Sequence, residues 1–162
     1  MALIYLNSIR NDLSVNDGPG YRLVIFLQGC DIHCKGCQNK SIQNMNDVEP
    51  IEVSQLVNQI RNKLKETGNV INRITVSGGE PLLQKDALLE LLIELQDLDI
   101  CLYTGHELNE VPEIFFQYLN FVKTGPFILN LFTRTKPFVG STNQTMWEID
   151  KETLEPHEYE AQ

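Results

Sequence analysis

Tyr21-Arg-Leu-Val-Ile-Phe-Leu-Gln28, followed at once by Gly29-Cys30, is the stretch that decides the fold. It is rich in β-branched and aromatic residues and follows the turn cluster Asp17-Gly-Pro-Gly20, so it reads as a strand running into a glycine turn. A near-continuous apolar run suits a strand covered on both faces of a parallel sheet. Working outward, Val53, Leu56, Val57, Ile60 and Leu64 recur at helical spacing, with Gly68 as a stop signal. Asn72 to Ser77 reads as a second strand ending in Gly78-Gly79-Glu80-Pro81, and a leucine-rich helix is expected from about Gln84 to Leu98. Ile100 to Tyr103 is a third strand, closed by Thr104-Gly105. Val111, Ile114, Phe115 and Tyr118 mark another helix, with Pro112 in its first turn. Leu119 to Lys123 is a fourth strand, and Met146 to Ile149 a short one.

Strands alternating with helices predict an α/β fold with a mainly parallel sheet. In such sheets ligands bind beyond the carboxyl ends of the strands. The cysteine loop, Gly78-Gly79-Glu80, Thr104-Gly105 and Thr124-Gly125 all follow strands, so they are expected on one rim. No repeat or linker divides the chain. Residues 1–150 read as one domain, and 151–162 as an acidic C-terminal tail that frays.

The 162 residues suit a single domain. They are too few for a complete eight-fold βα barrel of about 250 residues. A net charge of −9, with 13 basic residues scattered along the chain, argues against a nucleic-acid partner. The longest apolar stretch, near Leu88 to Ile93, is interrupted by Glu90 and is far too short for a bilayer. Met1-Ala-Leu-Ile-Tyr-Leu6 lacks a basic leader, so the expected compartment is the reducing cytoplasm. There, clustered cysteines act more often as metal ligands or redox groups than as disulfides.

The cluster is Cys30-x-x-x-Cys34-x-x-Cys37. Thiolates are the usual iron–sulfur ligands, and three in a tight loop hold three corners of a cubane and leave one iron open. An open iron takes a small molecule through an amine and a carboxylate. Zinc is the competing occupant, because Cys₃His sites exist and His33 lies inside the loop. His33 immediately precedes Cys34, however, and adjacent residues rarely reach one tetrahedral centre together. Cys101, within an apolar strand, reads as a small buried hydrophobe rather than a fourth ligand. Two successive glycines at 78 and 79 leave no Cβ in the way of a ligand lying on the backbone, and Glu80 either faces an ammonium or caps the following helix.

Taken together, Asp17-Gly-Pro-Gly-Tyr-Arg22, Phe26-Leu-Gln-Gly-Cys30, Cys34-Lys-Gly-Cys-Gln-Asn39, Ser77-Gly-Gly-Glu-Pro81, Tyr103-Thr-Gly105, Lys123-Thr-Gly-Pro-Phe127 and Gly140-Ser-Thr-Asn-Gln144 resemble the radical S-adenosylmethionine superfamily. Within it, they resemble the activating proteins of anaerobic (class III) ribonucleoside-triphosphate reductases. The resemblance implies a shortened, partial βα barrel with a 4Fe-4S cluster on Cys30, Cys34 and Cys37 and S-adenosylmethionine on the open iron. It implies that Gly78, Gly79 and Glu80 lie along the methionine amino group, and that Gly36, Cys37 and Gln38 approach the adenine. A flavodoxin-like donor would supply an electron to split the sulfonium, and the 5′-deoxyadenosyl radical would abstract hydrogen from a glycine of the large reductase subunit. Many members carry an aromatic residue where Gly36 stands here, which leaves Phe26 and Tyr103 as positional candidates for stacking on the adenine.

Other residues carry open alternatives. Asp17 and Arg22 form either a solvated turn or a lip of the substrate channel. Lys123 is either a surface lysine or a partner for a carboxylate of the cofactor or of the partner chain. Asn143 and Gln144 either form turns or hold an extended glycine-bearing loop, and Phe138 and Trp147 either pack internally or dock a partner. The alternative functions are activation of another glycyl-radical enzyme such as pyruvate formate-lyase, a small-molecule radical enzyme such as a carboxy-deazaguanine synthase, and a non-catalytic zinc-binding module.

Overall fold

The computed structural model describes residues 2–36 and 40–160, apart from the side chain of Lys40. Its elements are β1 (Leu3–Ile4), β2 (Leu6–Ile9), β3 (Leu23–Leu27), β4 (Ile51–Glu52), α1 (Val53–Lys65), β5 (Arg73–Gly78), α2 (Lys85–Glu94), β6 (Asp99–Tyr103), β7 (Phe121–Thr124), β8 (Thr145–Ile149) and β9 (Pro156–Glu158). The main sheet has the order β2-β3-β5-β6-β7-β8-β9. β3, β5, β6 and β7 pair in parallel, while β2 at one edge and β8 and β9 at the other are antiparallel. β1 and β4 form a separate two-stranded ribbon. The α/β fold with a mainly parallel central sheet is as expected.

The register sorts the strand residues onto two faces. Leu23 stands beside Ile74 and Ile74 beside Ile100, while Ile25, Val76, Leu102 and Val122 form the next row. These side chains share one buried cluster with Leu56, Ile60 and Leu64 of α1 and Leu88, Leu91 and Leu92 of α2. The alternate residues form the opposite face: Phe26 beside Ser77, Thr75 beside Cys101 and Cys101 beside Phe121, and Tyr103 beside Lys123. No helix of the described residues covers that second face; loops do, and it holds the cavities described below.

α1 starts as a capping box, with Gln55 accepting from the backbone N–H of Glu52 at 2.9 Å, and it buries Val53, Leu56, Ile60 and Leu64 at helical spacing. The chain leaves it through Gly68, whose φ of 69° is in the left-handed region. α2 is shorter than expected: Pro81–Gln84 form a 3₁₀ turn, α-helix runs only to Glu94, and Leu95 and Leu98 are buried from the turn that follows. The helix expected around Val111–Tyr118 is two short 3₁₀ segments, Leu108–Glu110 and Glu113–Gln117. Pro112 interrupts the first and β7 begins at Phe121, so too few residues remain to repay nucleation of an α-helix.

Two further corrections concern the termini of the sheet. Over its described residues the acidic tail is held, because Pro156–Glu158 pair with β8 and Tyr159 packs edge-on against Phe121, with ring centroids 5.7 Å apart. Arg22 is neither a solvated turn nor a channel lip. It is fully buried, donating from Nε to Pro19 O (2.7 Å), from Nη1 to Ile74 O (2.8 Å) and from Nη2 to Asp99 Oδ1 (2.6 Å), with its guanidinium 5.2 Å from the Phe121 ring. It therefore pins the Asp17–Gly20 loop over the amino-terminal end of the sheet, while Asp17 itself borders a cavity. Among the described residues, no helix is long and apolar enough to cross a membrane.

Candidate active site

The site is assembled at the carboxyl ends of β3, β5, β6 and β7. Beyond β3 the backbone turns at Gly29, with φ of 97°, and the next residue is Cys30. This turn is anchored from below, since Gly29 N–H donates to Ile42 O (2.6 Å) and Cys30 N–H to Gln43 O (2.9 Å). The glycine loop after β5 lies directly against it. Gly79 N–H donates to Leu27 O (3.2 Å) and Glu80 N–H to Gly29 O (2.7 Å). A Cβ on Gly78 would stand 2.2 Å from Leu27 O, and one on Gly79 would stand 2.2 Å from Gly29 O. The adjoining backbone of β3 and its turn is thus reason enough for both glycines; room for a ligand is a second consequence of the same close approach.

Glu80 resolves the two readings of its side chain. Its carboxylate, 1% exposed, accepts from Leu82 N–H (2.9 Å), Thr104 Oγ1 (2.7 Å) and Gly105 N–H (2.7 Å). It caps the turn that follows and staples the β5 loop to the β6 loop, and both oxygens are engaged by protein donors. Burial pushes its carboxyl above the usual range, against the pull of those three donors.

Cys30 and Cys34 are partly buried, carry free thiols and border a cavity of about 130 Å³ together with Gly78, Gly79 and Gly105. Burial raises the Cys30 thiol, while the backbone amides of His33 and Ile32 pull it down. His33 Nδ1 lies 3.0 Å from Gln43 Oε1. Cys37 and Gln38, expected as a ligand and an adenine neighbour, lie outside the described residues. Cys101 is wholly buried in β6, where burial pushes its thiol up to about 12. Gly36 does not border the cavity. Its φ is 77°, and a Cβ there would meet Leu129 Cδ1 at 3.2 Å, so Leu129 fills the space beside that position.

This cavity adjoins a larger one of about 570 Å³ on the second face of the sheet, the two sharing Ser77, Tyr103, Lys123, Phe127 and Gln144. Phe26 also borders the larger cavity. Lys123 is not a surface lysine. Its Nζ stands 4.0 Å from the Tyr103 ring centroid, and no carboxylate among the described residues pairs with it. Burial lowers its ammonium to about 8. The Tyr103 hydroxyl is buried without a hydrogen-bond partner. A neutral buried hydroxyl left unpaired beside an unpaired cation marks a place for a polar ligand.

Several residues whose roles the sequence left open are held in the framework, Gln144 and Phe138 while also bordering the larger cavity. Gln144 Oε1 accepts from Gly140 and Ser141 N–H (2.8 and 3.2 Å) while its Nε2 donates to Gly125 O (2.9 Å), and Asn143 Nδ2 donates to Pro126 O (2.9 Å). Trp147 donates to Thr124 Oγ1 (3.0 Å), and Phe138 packs on Tyr159 at 5.9 Å. Thr104 is the residue the sequence reading passed over; its only signal was its position between a strand end and Gly105.

Residues 16–147 match the family described as a 4Fe-4S single cluster domain. The anaerobic ribonucleoside-triphosphate reductase-activating protein of Escherichia coli (strain K12) is 30% identical over 146 residues, covering 85% of this chain and 94% of that one. The chain belongs to the anaerobic ribonucleoside-triphosphate reductase-activating protein family. The activating protein of Enterobacteria phage T4 is 28% identical, over 81% of this chain and 86% of that one. The pyruvate formate-lyase-activating enzyme of Staphylococcus aureus (strain USA300) is 35% identical over 62% of this chain but only 41% of its own length. The site fits the cluster this family carries, since two free thiols and the glycine backbone border one cavity.

Proposed function

We propose that the chain activates an anaerobic ribonucleoside-triphosphate reductase by generating a glycyl radical on its large subunit. In this reading Cys30, Cys34 and Cys37 hold the 4Fe-4S cluster, and S-adenosylmethionine lies against Gly78 and Gly79, with Gly36, Cys37 and Gln38 toward its adenine. When bound, such a cluster supplies the electron that splits the sulfonium into methionine and a 5′-deoxyadenosyl radical, which takes a hydrogen atom from a glycine Cα. The protein's own contribution is to bind and to exclude water. The glycine backbone offers unhindered carbonyls and amides to the methionine end, Glu80 holds two rim loops together from behind, and the unpaired Lys123 ammonium and Tyr103 hydroxyl offer polar contacts deeper in the cavity.

The observation that carries this reading is that Cys30, Cys34 and the Gly78–Gly79 backbone border one small cavity that adjoins a larger one. The small one suits the reacting group, and the larger one a polypeptide that must reach it. Similarity over 94% of the E. coli reductase activator, against 41% of the pyruvate formate-lyase activator, favours the reductase as target. The open second face of the sheet supports a shortened βα barrel; the electron donor is read as flavodoxin-like and the compartment as the cytoplasm. The test is Cys34→Ala in anaerobically reconstituted protein. Loss of bound iron and of 5′-deoxyadenosine formation is expected, and retained cleavage would refute the ligand assignment.

A further inference from the structure

Leaving the thiols aside, only Glu80 and Lys123 carry charge among the described residues that border the small cavity. Glu80 is already committed, since its two oxygens accept from Leu82, Thr104 and Gly105. Lys123 is not. Its Nζ pairs with no carboxylate among the described residues and rests 4.0 Å from the Tyr103 ring centroid. The hydroxyl of that same ring, on a residue 8% exposed, also lacks a partner. Asp17, the one acidic residue among the described lining of the larger cavity, is engaged by Ser14 Oγ and Arg10 Nη1.

The sheet register sets these two donors side by side. Tyr103 of β6 stands beside Lys123 of β7, and both side chains border both cavities. A buried ammonium and a buried hydroxyl with unused protons call for an acceptor, and a carboxylate brings two oxygens and the opposite charge. Size limits what reaches them. At about 130 Å³ the small cavity is well under the roughly 300 Å³ at which pockets begin to enclose a drug-sized ligand, so it admits one end of such a molecule and not the whole.

We propose that Lys123 and Tyr103 form a carboxylate subsite, filled by the methionine carboxylate of S-adenosylmethionine, and that they select for a cofactor with an intact amino-acid end. This rests on the activating-enzyme reading, which lays the methionine end against Gly78 and Gly79. The carboxylate is the only anionic group of that molecule, and Lys123 is the one cation among the described residues that share a cavity with the thiols and those glycines. An acidic side chain of an incoming polypeptide is the other source of a carboxylate. Placement on the thiol cavity, and not only on the larger one, selects the cofactor.

The test measures equilibrium binding to cluster-loaded, full-length protein without reductant, so that nothing is cleaved, and without reductase. Two ligands are compared, S-adenosylmethionine and its decarboxylated analogue, which keeps the amine and the sulfonium. Lys123→Met is expected to weaken S-adenosylmethionine about tenfold to a hundredfold, the range of a charge-assisted hydrogen bond, and Tyr103→Phe about threefold or more. Both variants should bind the analogue within about twofold of wild type. Should Lys123→Met fail to fold, Tyr103→Phe is judged by the same ratio of affinities, because it removes one atom that has no protein partner. Equal losses for the two ligands, or no loss for either, overturn the subsite. Unchanged affinity with a lower glycyl-radical yield once reductase and reductant are added overturns the cofactor as the source and assigns the carboxylate to the partner. Failure of the wild type to bind S-adenosylmethionine overturns the activating-enzyme reading instead.

Discussion

The two faces of the central sheet are drawn from alternate residues of the same strands, yet they are built for opposite ends. On one, Ile25, Val76, Leu102 and Val122 meet two helices and are wholly buried. On the other, Phe26, Ser77, Tyr103 and Lys123 border a cavity, and the buried Arg22 ties β5 to β6 near their amino-terminal ends. Dry packing holds the strands in register, and it lets the second face carry an unpaired hydroxyl and an unpaired ammonium that no core would tolerate. One side of the sheet is packed dry against helices, and the cavities lie on the other.

Breaking the buried Arg22 tie has the largest expected effect on stability. Arg22→Ala leaves Asp99, Ile74 O and Pro19 O without their donor, and a cost of about 3–5 kcal/mol is expected in denaturant unfolding. A loss under about 1 kcal/mol would show that the arginine is not the tie described. Truncation on the helical face comes next: Leu91→Ala, at a fully buried position, is expected to cost about 2–5 kcal/mol while leaving S-adenosylmethionine cleavage per folded molecule unchanged. Cleavage falling in step with stability would erase the separation between the faces.

The rim is subtler. Glu80→Gln keeps the shape but replaces one acceptor oxygen with a donor facing N–H and O–H groups, so about 1–3 kcal/mol is expected to be lost. A rise in KM for S-adenosylmethionine larger than the fall in kcat should accompany it; a fall in kcat alone would point to a direct role in the chemistry. The smallest effect concerns Lys123. Its folded-state ammonium titrates near 8, below its ordinary 10.5, so the folded state binds that proton more weakly than the unfolded one. Between those pH values the unfolded state holds more protons, and stability contributed by this group rises with pH. Lys123→Met should remove that rise in melts compared at pH 8 and pH 10, and an unaltered pH dependence would place the lysine in water.

Much of this was legible in the sequence, for physical reasons that also explain the remainder. The four parallel strands announce themselves by apolar, β-branched runs ending in glycine, and the cysteine and glycine loops fall on one rim because both follow such strands. What escaped depends on contacts far apart in the chain. Glu80 meets Thr104 across 24 residues, and Arg22 meets Asp99 across 77, so neither partner is marked by local spacing. β1 and β4 hold two residues each, too short for any period to show. The tail reads as solvated because it is acidic, but Pro156–Glu158 need only an open sheet edge, which β8 supplies. For Gly78 and Gly79 the sequence suggested room for a ligand, whereas the obstruction a side chain would meet is the neighbouring backbone, which lies far off in the chain.

The central claim is that a cluster held by the thiols beside the small cavity would supply the electron for S-adenosylmethionine cleavage there, with hydrogen taken from a polypeptide that enters the larger cavity. The most direct measurement mixes the reconstituted, reduced protein with S-adenosylmethionine and its own anaerobic reductase, following the glycyl radical by EPR and 5′-deoxyadenosine by chromatography. A glycyl signal accompanied by deoxyadenosine is the predicted result. Iron-loaded protein that yields neither would contradict the account.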